Sequence, residues 1–202
     1  MEIQAYDRGL KQIAGIDEAG RGPWAGPVVA AAVILTPDAI PNGIADSKAL
    51  DEIAREALFA KIQQCADIGI GIASVERIDR DNILAATMWA MGEAVSALKT
   101  GPCLALVDGN RAPPLACPAR TIIKGDATCL SIAAASIIAK VTRDRLMRDL
   151  ARSYPAYGFE KHKGYGTPQH QLALARHGIT PHHRRSFKPI RARLDDKSET
   201  PD

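Results

Sequence analysis

Five short runs of β-branched and small apolar residues, interleaved with stretches of helical periodicity, restrict this chain to a layered α/β architecture. Residues 12–17 (QIAGID) and 27–36 (PVVAAAVILT) flank the glycine- and proline-bearing EAGRGPWAG, which predicts two strands joined by a turn. Residues 67–74 (DIGIGIAS) alternate with period two and form a third strand. LALVD at 104–108 and RTIIKGD at 120–126 supply strands four and five, each closing on a carboxylate. Ser47 is placed to cap a helix on which Leu50, Ile53, Ala54, Leu58 and Ile62 share a face. A second helix spans about residues 82–98. A long one begins near Thr128, with Leu130, Ala134, Ile137 and Val141 on one stripe and Lys140, Arg143, Arg145, Arg148 and Arg152 elsewhere on its surface. The last helix, residues 168–176, stops before Gly178, which suits the left-handed turn that ends helices. Three strands in succession, then strands alternating with helices, imply a mixed sheet flanked by helices.

The 202 residues contain no repeat, low-complexity tract or long linker, so the expectation is one domain over residues 1–193, in which 155–193 form a small, basic, helical C-terminal part. The polar ending DDKSETPD, within residues 194–202, is expected to be disordered. No uninterrupted apolar stretch approaches the roughly 20 residues of a membrane-spanning helix, and the first residues, MEIQAYDRGLKQ, lack a secretory pattern. A soluble, cytoplasmic chain without membrane association is expected. Cys65, Cys103, Cys117 and Cys129 form no CxxC pair and read as reduced packing residues. All five histidines lie in the last quarter, but their spacing matches no zinc motif.

The formal charge of +3 hides an asymmetry. Residues 1–119 carry 10 Lys/Arg against 15 Asp/Glu, residues 120–193 carry 15 against 4, and the last nine carry 1 against 4. Such a basic segment suits a polyanion, because each cation near a phosphate releases condensed counterions. Solvated helix faces would read the same way.

Four acids occupy places that acids usually avoid. Asp17 and Glu18 leave strand one, Asp108 leaves strand four and Asp126 follows strand five. If these strands are neighbours their ends converge, and the crowded negative charge demands a cation. Oxygen-only ligation suits Mg²⁺ or Mn²⁺ rather than zinc, and a pair of such ions is suited to phosphodiester hydrolysis. Singly, Asp108 in VDGN reads as a turn residue and Asp126 as a helix cap, but Glu18 beside Asp17 has no capping role. Asp144 is a rival ligand, yet Lys140 and Arg148 lie four residues to either side and explain it as a helical ion pair, so Asp126 is preferred.

GIDEAGRGPWAGPVV, DSKAL, LVDGNR, KGDATCLSIAAASIIAKVTRDR, HKGYGT and HHRRSF, taken together and in this order from about residue 13 to residue 187, resemble bacterial ribonuclease HII. The resemblance implies a ribonuclease H-like fold, a five-stranded mixed sheet flanked by helices with a C-terminal helical extension. It implies an endonuclease that hydrolyses the RNA strand of RNA/DNA hybrids and cuts on the 5′ side of single ribonucleotides in duplex DNA, leaving 3′-hydroxyl and 5′-phosphate ends. Two divalent cations, Mg²⁺ or Mn²⁺, would be bound by Asp17, Glu18, Asp108 and Asp126. Its role would be removal of misincorporated ribonucleotides and of hybrid RNA, and its partner would be nucleic acid; nothing in the sequence demands more than a monomer.

By the same resemblance, Gly20, Arg21 and Gly22 sense the 2′-hydroxyl, since glycines let backbone groups approach a sugar closely. Tyr165 stacks on the neighbouring sugar and bonds its hydroxyl, a task that suits a flat phenol with one polar tip. Lys163, Ser47 and Lys48 match phosphate contacts. Without the motif, the glycines would read as a turn, Tyr165 as a packed surface residue and Ser47 as a helix cap. Asp81 and the glycine that follows Tyr165 depart from the usual pattern without touching a metal ligand. The competing readings are another nuclease of the same fold, such as a junction resolvase, and a non-catalytic nucleic-acid binding module; sugar preference and metal-dependent cleavage separate them. A purely structural interaction protein leaves the acids unexplained.

Overall fold

A buried run such as VVAAAVIL belongs in the middle of a sheet covered on both faces, and that is where it lies. The computed structural model describes residues 2, 6, 9–44 and 50–198, with side chains through residue 195. Strands β1 (Ile13–Ala19), β2 (Val28–Leu35), β3 (Ala66–Ala73), β4 (Leu104–Asp108) and β5 (Ala119–Ile122) form one sheet in the order β3-β2-β1-β4-β5. The β1–β2 and β2–β3 pairs are antiparallel, whereas β1–β4 and β4–β5 are parallel. The chain therefore builds outward on one side of β1 and then on the other. Between β1 and β4 it reaches a topological switch point, where open α/β sheets place their sites at the carboxyl ends of the strands.

The helices are α1 (Glu52–Cys65), α2 (Val75–Asp81), α3 (Ile83–Ser96), α4 (Leu130–Ser153), α5 (Phe159–His162), α6 (Pro168–His177) and α7 (Lys188–Ser198). On one face of the sheet, Ala86, Ala90, Met91 and Ala94 of α3 pack on Val28, Ala30 and Ala32. On the other, Leu58, Phe59 and Ile62 of α1 and the apolar stripe of α4 pack on Ala31, Val33 and Leu35. A further cluster, including Met147, Ala151, Tyr157, Phe159, Leu174 and Ile190, seats the C-terminal helices on the end of α4. No helix among the described residues is long and apolar enough to cross a membrane.

Several local expectations change. Helix α1 starts at Glu52 with Asp51 as its cap, the carboxylate accepting from the Ala54 amide at 2.7 Å. Ser47 and Lys48 lie outside the described residues. Ile53 is 83% exposed, because the first turn of α1 buries nothing and the inward face begins with Leu58. The helix expected over 82–98 is preceded by the short α2; the break falls at Asn82, at φ 69°, whose side chain accepts from the Leu84 and Ala85 amides and starts α3. Strand β5 ends at Ile122, since Lys124 turns into the left-handed region at φ 56°, and Asp126 sits in a single 3-10 turn, Gly125–Ala127. Helix α7 runs through Ser198 and takes in residues 194–198 of the ending expected to be disordered, with the fully buried Ile190 anchoring its first turn.

One glycine decides how closely α4 lies on β1. A Cβ at Gly15 would sit 2.1 Å from the Ser131 carbonyl carbon and 2.3 Å from the Ile132 nitrogen, both backbone atoms that cannot swing aside. This contact brings the first turns of α4 directly over the strand that carries Asp17. Gly15→Ala is expected to destabilise the protein by about 3 kcal/mol or more, at the upper end of overpacking costs. Urea unfolding measures it, and an unchanged midpoint would contradict the packing described.

Candidate functional site

In the parallel β1–β4 pair, Ile16 is level with Val107, so the next residues along, Asp17 and Asp108, emerge together at the carboxyl end of the sheet. Asp126 is carried back toward them by the turn after β5. The Gly125 amide donates to Asp108 Oδ1 at 2.7 Å, which ties that turn to β4. As a result, one carboxylate oxygen from each of Asp17, Asp108 and Asp126 lies within 4.8 Å of the others. Asp17 and Asp126 are buried. Burial, followed by the charges of Glu18 and Asp108, holds the Asp17 carboxyl well above its ordinary range, although the Glu18 amide, donating to it at 2.7 Å, works the other way.

Glu18 lines the same cleft but is not one of the three closest oxygens; its carboxylate accepts from Arg21 at 3.2 Å. Asp144, the rival ligand, is buried against Lys140, whose ammonium donates to both its oxygens at 2.6 and 2.5 Å. Three convergent carboxylates, with a fourth beside them, form an all-oxygen donor set that fits a hard divalent cation. The histidines offer no such set. His162, His170 and His183 gather in the C-terminal part, but their ring nitrogens are engaged with Tyr157, Gly164, Tyr165, Thr180 and one another.

The cleft, of about 330 Å³, is lined by the acids Asp17, Glu18 and Asp108, by residues 19–22, by Ser136, Lys140 and Arg143 of α4, and by Tyr165. Tyr165 is 50% exposed and faces Gly22, where a Cβ would lie 3.4 Å from the tyrosine ring. Lys163 stands apart from this lining. Its ammonium donates to the Glu160 carbonyl.

Two arginines missed as structural groups hold the loop between β1 and β2. Arg184, fully buried, donates to the carbonyls of Gly20 (2.5 Å), Arg21 (2.8 Å), Gly26 (2.8 and 3.0 Å) and Pro27 (3.3 Å). Arg143, 2% exposed, donates to Pro27 (3.0 Å), Ala25 (3.2 Å) and Lys163 (3.0 Å). Burial lowers the guanidinium of Arg143 to about 10 and that of Arg184 to about 9, yet both stay charged at neutral pH. Gly20, at φ 95°, must lack a side chain, because a Cβ would fall 1.9 Å from Arg143 Nε. Since a trans peptide directs its carbonyl and the next N–H to opposite sides, drawing the Gly20 and Arg21 carbonyls inward turns the Arg21 and Gly22 amides away from Arg184.

Arg143 thus leaves the exposed basic stripe expected of α4. Arg145 and Arg148 pair with Glu56 at 2.5 and 2.6 Å, and Arg152 with Asp149 at 3.0 Å. The signal for the cleft-lining residues was present but unread: Ser136, Lys140 and Arg143 recur at four- and three-residue spacing along one helix.

Comparison with known proteins agrees with this geometry. The family model described as Ribonuclease HII matches residues 14–190. A protein of Parvibaculum lavamentivorans described as Ribonuclease HII is 60% identical over 183 residues, covering 90% of this chain and 68% of its own. One of Geobacillus thermodenitrificans with the same description is 57% identical over 198 residues, covering 98% and 76%. The crystal structure of ribonuclease H2 from Pyrococcus horikoshii OT3 matches with a TM-score of 0.79 at 28% identity, covering 94% of this chain and 100% of that one.

The acid cluster costs stability when no cation is bound. A carboxyl whose folded pKa is raised contributes stability below its unfolded pKa and loses it as pH rises through the folded value. In metal-free protein, Asp17→Asn is therefore expected to raise the thermal midpoint at pH 8, with the gain shrinking as pH falls toward 4. Mg²⁺ should raise the wild-type midpoint more than that of the variant. A lower midpoint for the metal-free variant at pH 8 would refute the electrostatic account.

Proposed function

The chain belongs to the ribonuclease HII family and is a ribonuclease H, and on that premise we propose that it cuts the RNA strand of hybrids and also nicks duplex DNA on the 5′ side of a single ribonucleotide, using two divalent cations. The carrying observation is that one cleft joins the carboxylates of Asp17, Glu18 and Asp108 to the loop at residues 20–22 and the ring of Tyr165. In this reading Asp17, Glu18, Asp108 and Asp126 hold the cations. Mg²⁺ or Mn²⁺ held there would supply the activation of water and the stabilisation of the leaving oxygen that leave 3′-hydroxyl and 5′-phosphate ends.

The chain's own part is to position and to discriminate. A 2′-hydroxyl both donates and accepts. The Arg21 and Gly22 amides, turned away from Arg184, suit its oxygen, and the Tyr165 hydroxyl suits either role. Gly22 leaves open the space beside the phenol ring through which a sugar edge would pass. Deoxyribose would leave these polar groups unpaired in a confined site, the arrangement by which enzymes reject a substrate lacking one hydroxyl. Selection of the cut site therefore follows from the backbone of one loop and one side chain.

Lys163, Ser47 and Lys48 remain proposed phosphate contacts; Lys163 must first release the Glu160 carbonyl. The same reading has the protein act as a monomer on duplex nucleic acid in the cytoplasm, removing misincorporated ribonucleotides.

The test uses folded protein, Mg²⁺ and a labelled DNA duplex with one embedded ribonucleotide, beside an all-DNA duplex. A single nick 5′ of the ribonucleotide and an intact all-DNA strand are expected. Asp108→Asn should lower cleavage by at least about a thousandfold, the scale of losing a group essential to charge stabilisation, while binding is largely kept. An uncut ribonucleotide duplex refutes the reading; equal cutting of both duplexes points to a nuclease without sugar selectivity.

A further inference from the structure

Tyr165 lies between helices α5 and α6, half exposed, on a segment that has no regular secondary structure of its own. Its amide donates to the His162 carbonyl at 2.9 Å. Its carbonyl accepts from the Thr167 amide at 2.8 Å and contacts His170 Nδ1 at 2.9 Å. Behind that contact runs a line of buried imidazoles. His170 Nε2 is 3.0 Å from His183 Nε2, and both residues are fully buried. The Thr180 amide reaches His183 Nδ1 at 3.0 Å.

These contacts allow one assignment of protons for neutral rings. A backbone N–H can only donate, so His183 Nδ1 accepts from Thr180 and the ring's proton sits on Nε2. That proton faces His170 Nε2, which must accept; His170 then carries its own proton on Nδ1 and donates it to the Tyr165 carbonyl. Burial holds both imidazoles neutral, each pulled down to about 4. The rings around them are close: His162 stacks on His170 at 4.5 Å, and Phe159 meets it edge-on at 5.5 Å. Trp24 lies 5.8 Å from His170 and fills the space beside Gly166, where a Cβ would lie 2.1 Å from the indole.

We infer that His170 is a positioning residue for sugar selection: its Nδ1 proton, placed there by the contact of Nε2 with His183, sets the Tyr165 carbonyl, and with it the place of the phenol ring opposite Gly22. The inference rests on the reading that Tyr165 meets the sugar. It adds a residue that touches neither substrate nor cation. The basis is geometric, because a carbonyl held from one side by Thr167 and from the other by His170 has little freedom to rotate.

Two amide replacements separate this role from general packing. Asn in place of a histidine can put an N–H near the Nδ1 position, whereas Gln reaches the Nε2 position and leaves Nδ1 empty. With full-length protein, Mg²⁺ and the single-ribonucleotide duplex, His170→Gln is expected to lower kcat/KM about three- to tenfold, the range that one hydrogen bond commands. His170→Asn should stay within about twofold of wild type by the same measure. The same pair in a Tyr165→Ala background completes a double-mutant cycle, and there His170→Gln should cost less than about twofold, since the group it positions is gone. Trp24 emission, read in a Trp89→Phe background, and the thermal midpoint report folding independently of activity. Equal losses for Asn and Gln, or the same loss with and without the Tyr165 side chain, overturn the inference while leaving the proposed activity intact. A wild-type protein that fails to cut the duplex removes both.

Discussion

Mutual repulsion among three carboxylates shapes everything else at this end of the sheet. Oxygens of Asp17, Asp108 and Asp126 within 4.8 Å of one another repel by roughly 3.5 kcal/mol per charged pair at an effective dielectric constant near 20. A fold tolerates such a cluster where packing over-determines the positions and a cation restores the balance. Here the over-determination is visible. Parallel pairing of β1 with β4 brings two of the acids side by side, the Gly125 amide fixes Asp108, and the backbone of α4 lies against β1 at Gly15, two residues before the buried Asp17. Stability given up at the cluster is stability available to a bound ion, which links folding to catalytic competence.

The side of the cleft formed by residues 20–22 and Tyr165 is held differently, by positive charge turned inward. Arg143 and Arg184 have no carboxylate among their closest partners and spend their donors on main-chain carbonyls instead. Arg143 reaches both the β1–β2 loop and the Lys163 carbonyl, two residues before Tyr165. Loop and tyrosine are thereby joined through a single guanidinium, so the two walls of the cleft keep a common reference. His170 and His183 extend that scaffold to the far side of Tyr165. Directional hydrogen bonds from buried groups suit this purpose better than exposed ion pairs, which salt screens and side-chain entropy weakens.

The same accounting changes the meaning of the basic C-terminal half. Arg143 and Arg184 clamp carbonyls, while Lys140, Arg145, Arg148 and Arg152 pair with acids of the protein. Arg145 and Arg152 stay exposed within their pairs, and beside them Lys161, Arg185, Lys188 and Arg191 around the C-terminal helices and Arg120 and Lys124 near β5 also face solvent. Charge counted along a sequence overstates the footprint left for a polyanion, because the count does not know which cations the fold has already engaged.

Strand order of apolar runs, the helical stripes and the four acids at strand ends were legible in the sequence, since period-two and period-3.6 burial are imposed by backbone geometry alone. So were the motifs that resemble ribonuclease HII. Local competition among signals hid more: Asp51 rather than Ser47 caps α1, a short helix precedes Asn82, and Lys124 ended β5 early. Burial of Arg143, the carbonyl clamp of Arg184, the contact of His183 with His170, and the exact membership of the carboxylate group were decided only in three dimensions. The arginines and the carboxylate group depend on partners more than a hundred residues away and the histidines on a ring contact across 13 residues, and no periodicity along a chain records which atoms will share a small volume.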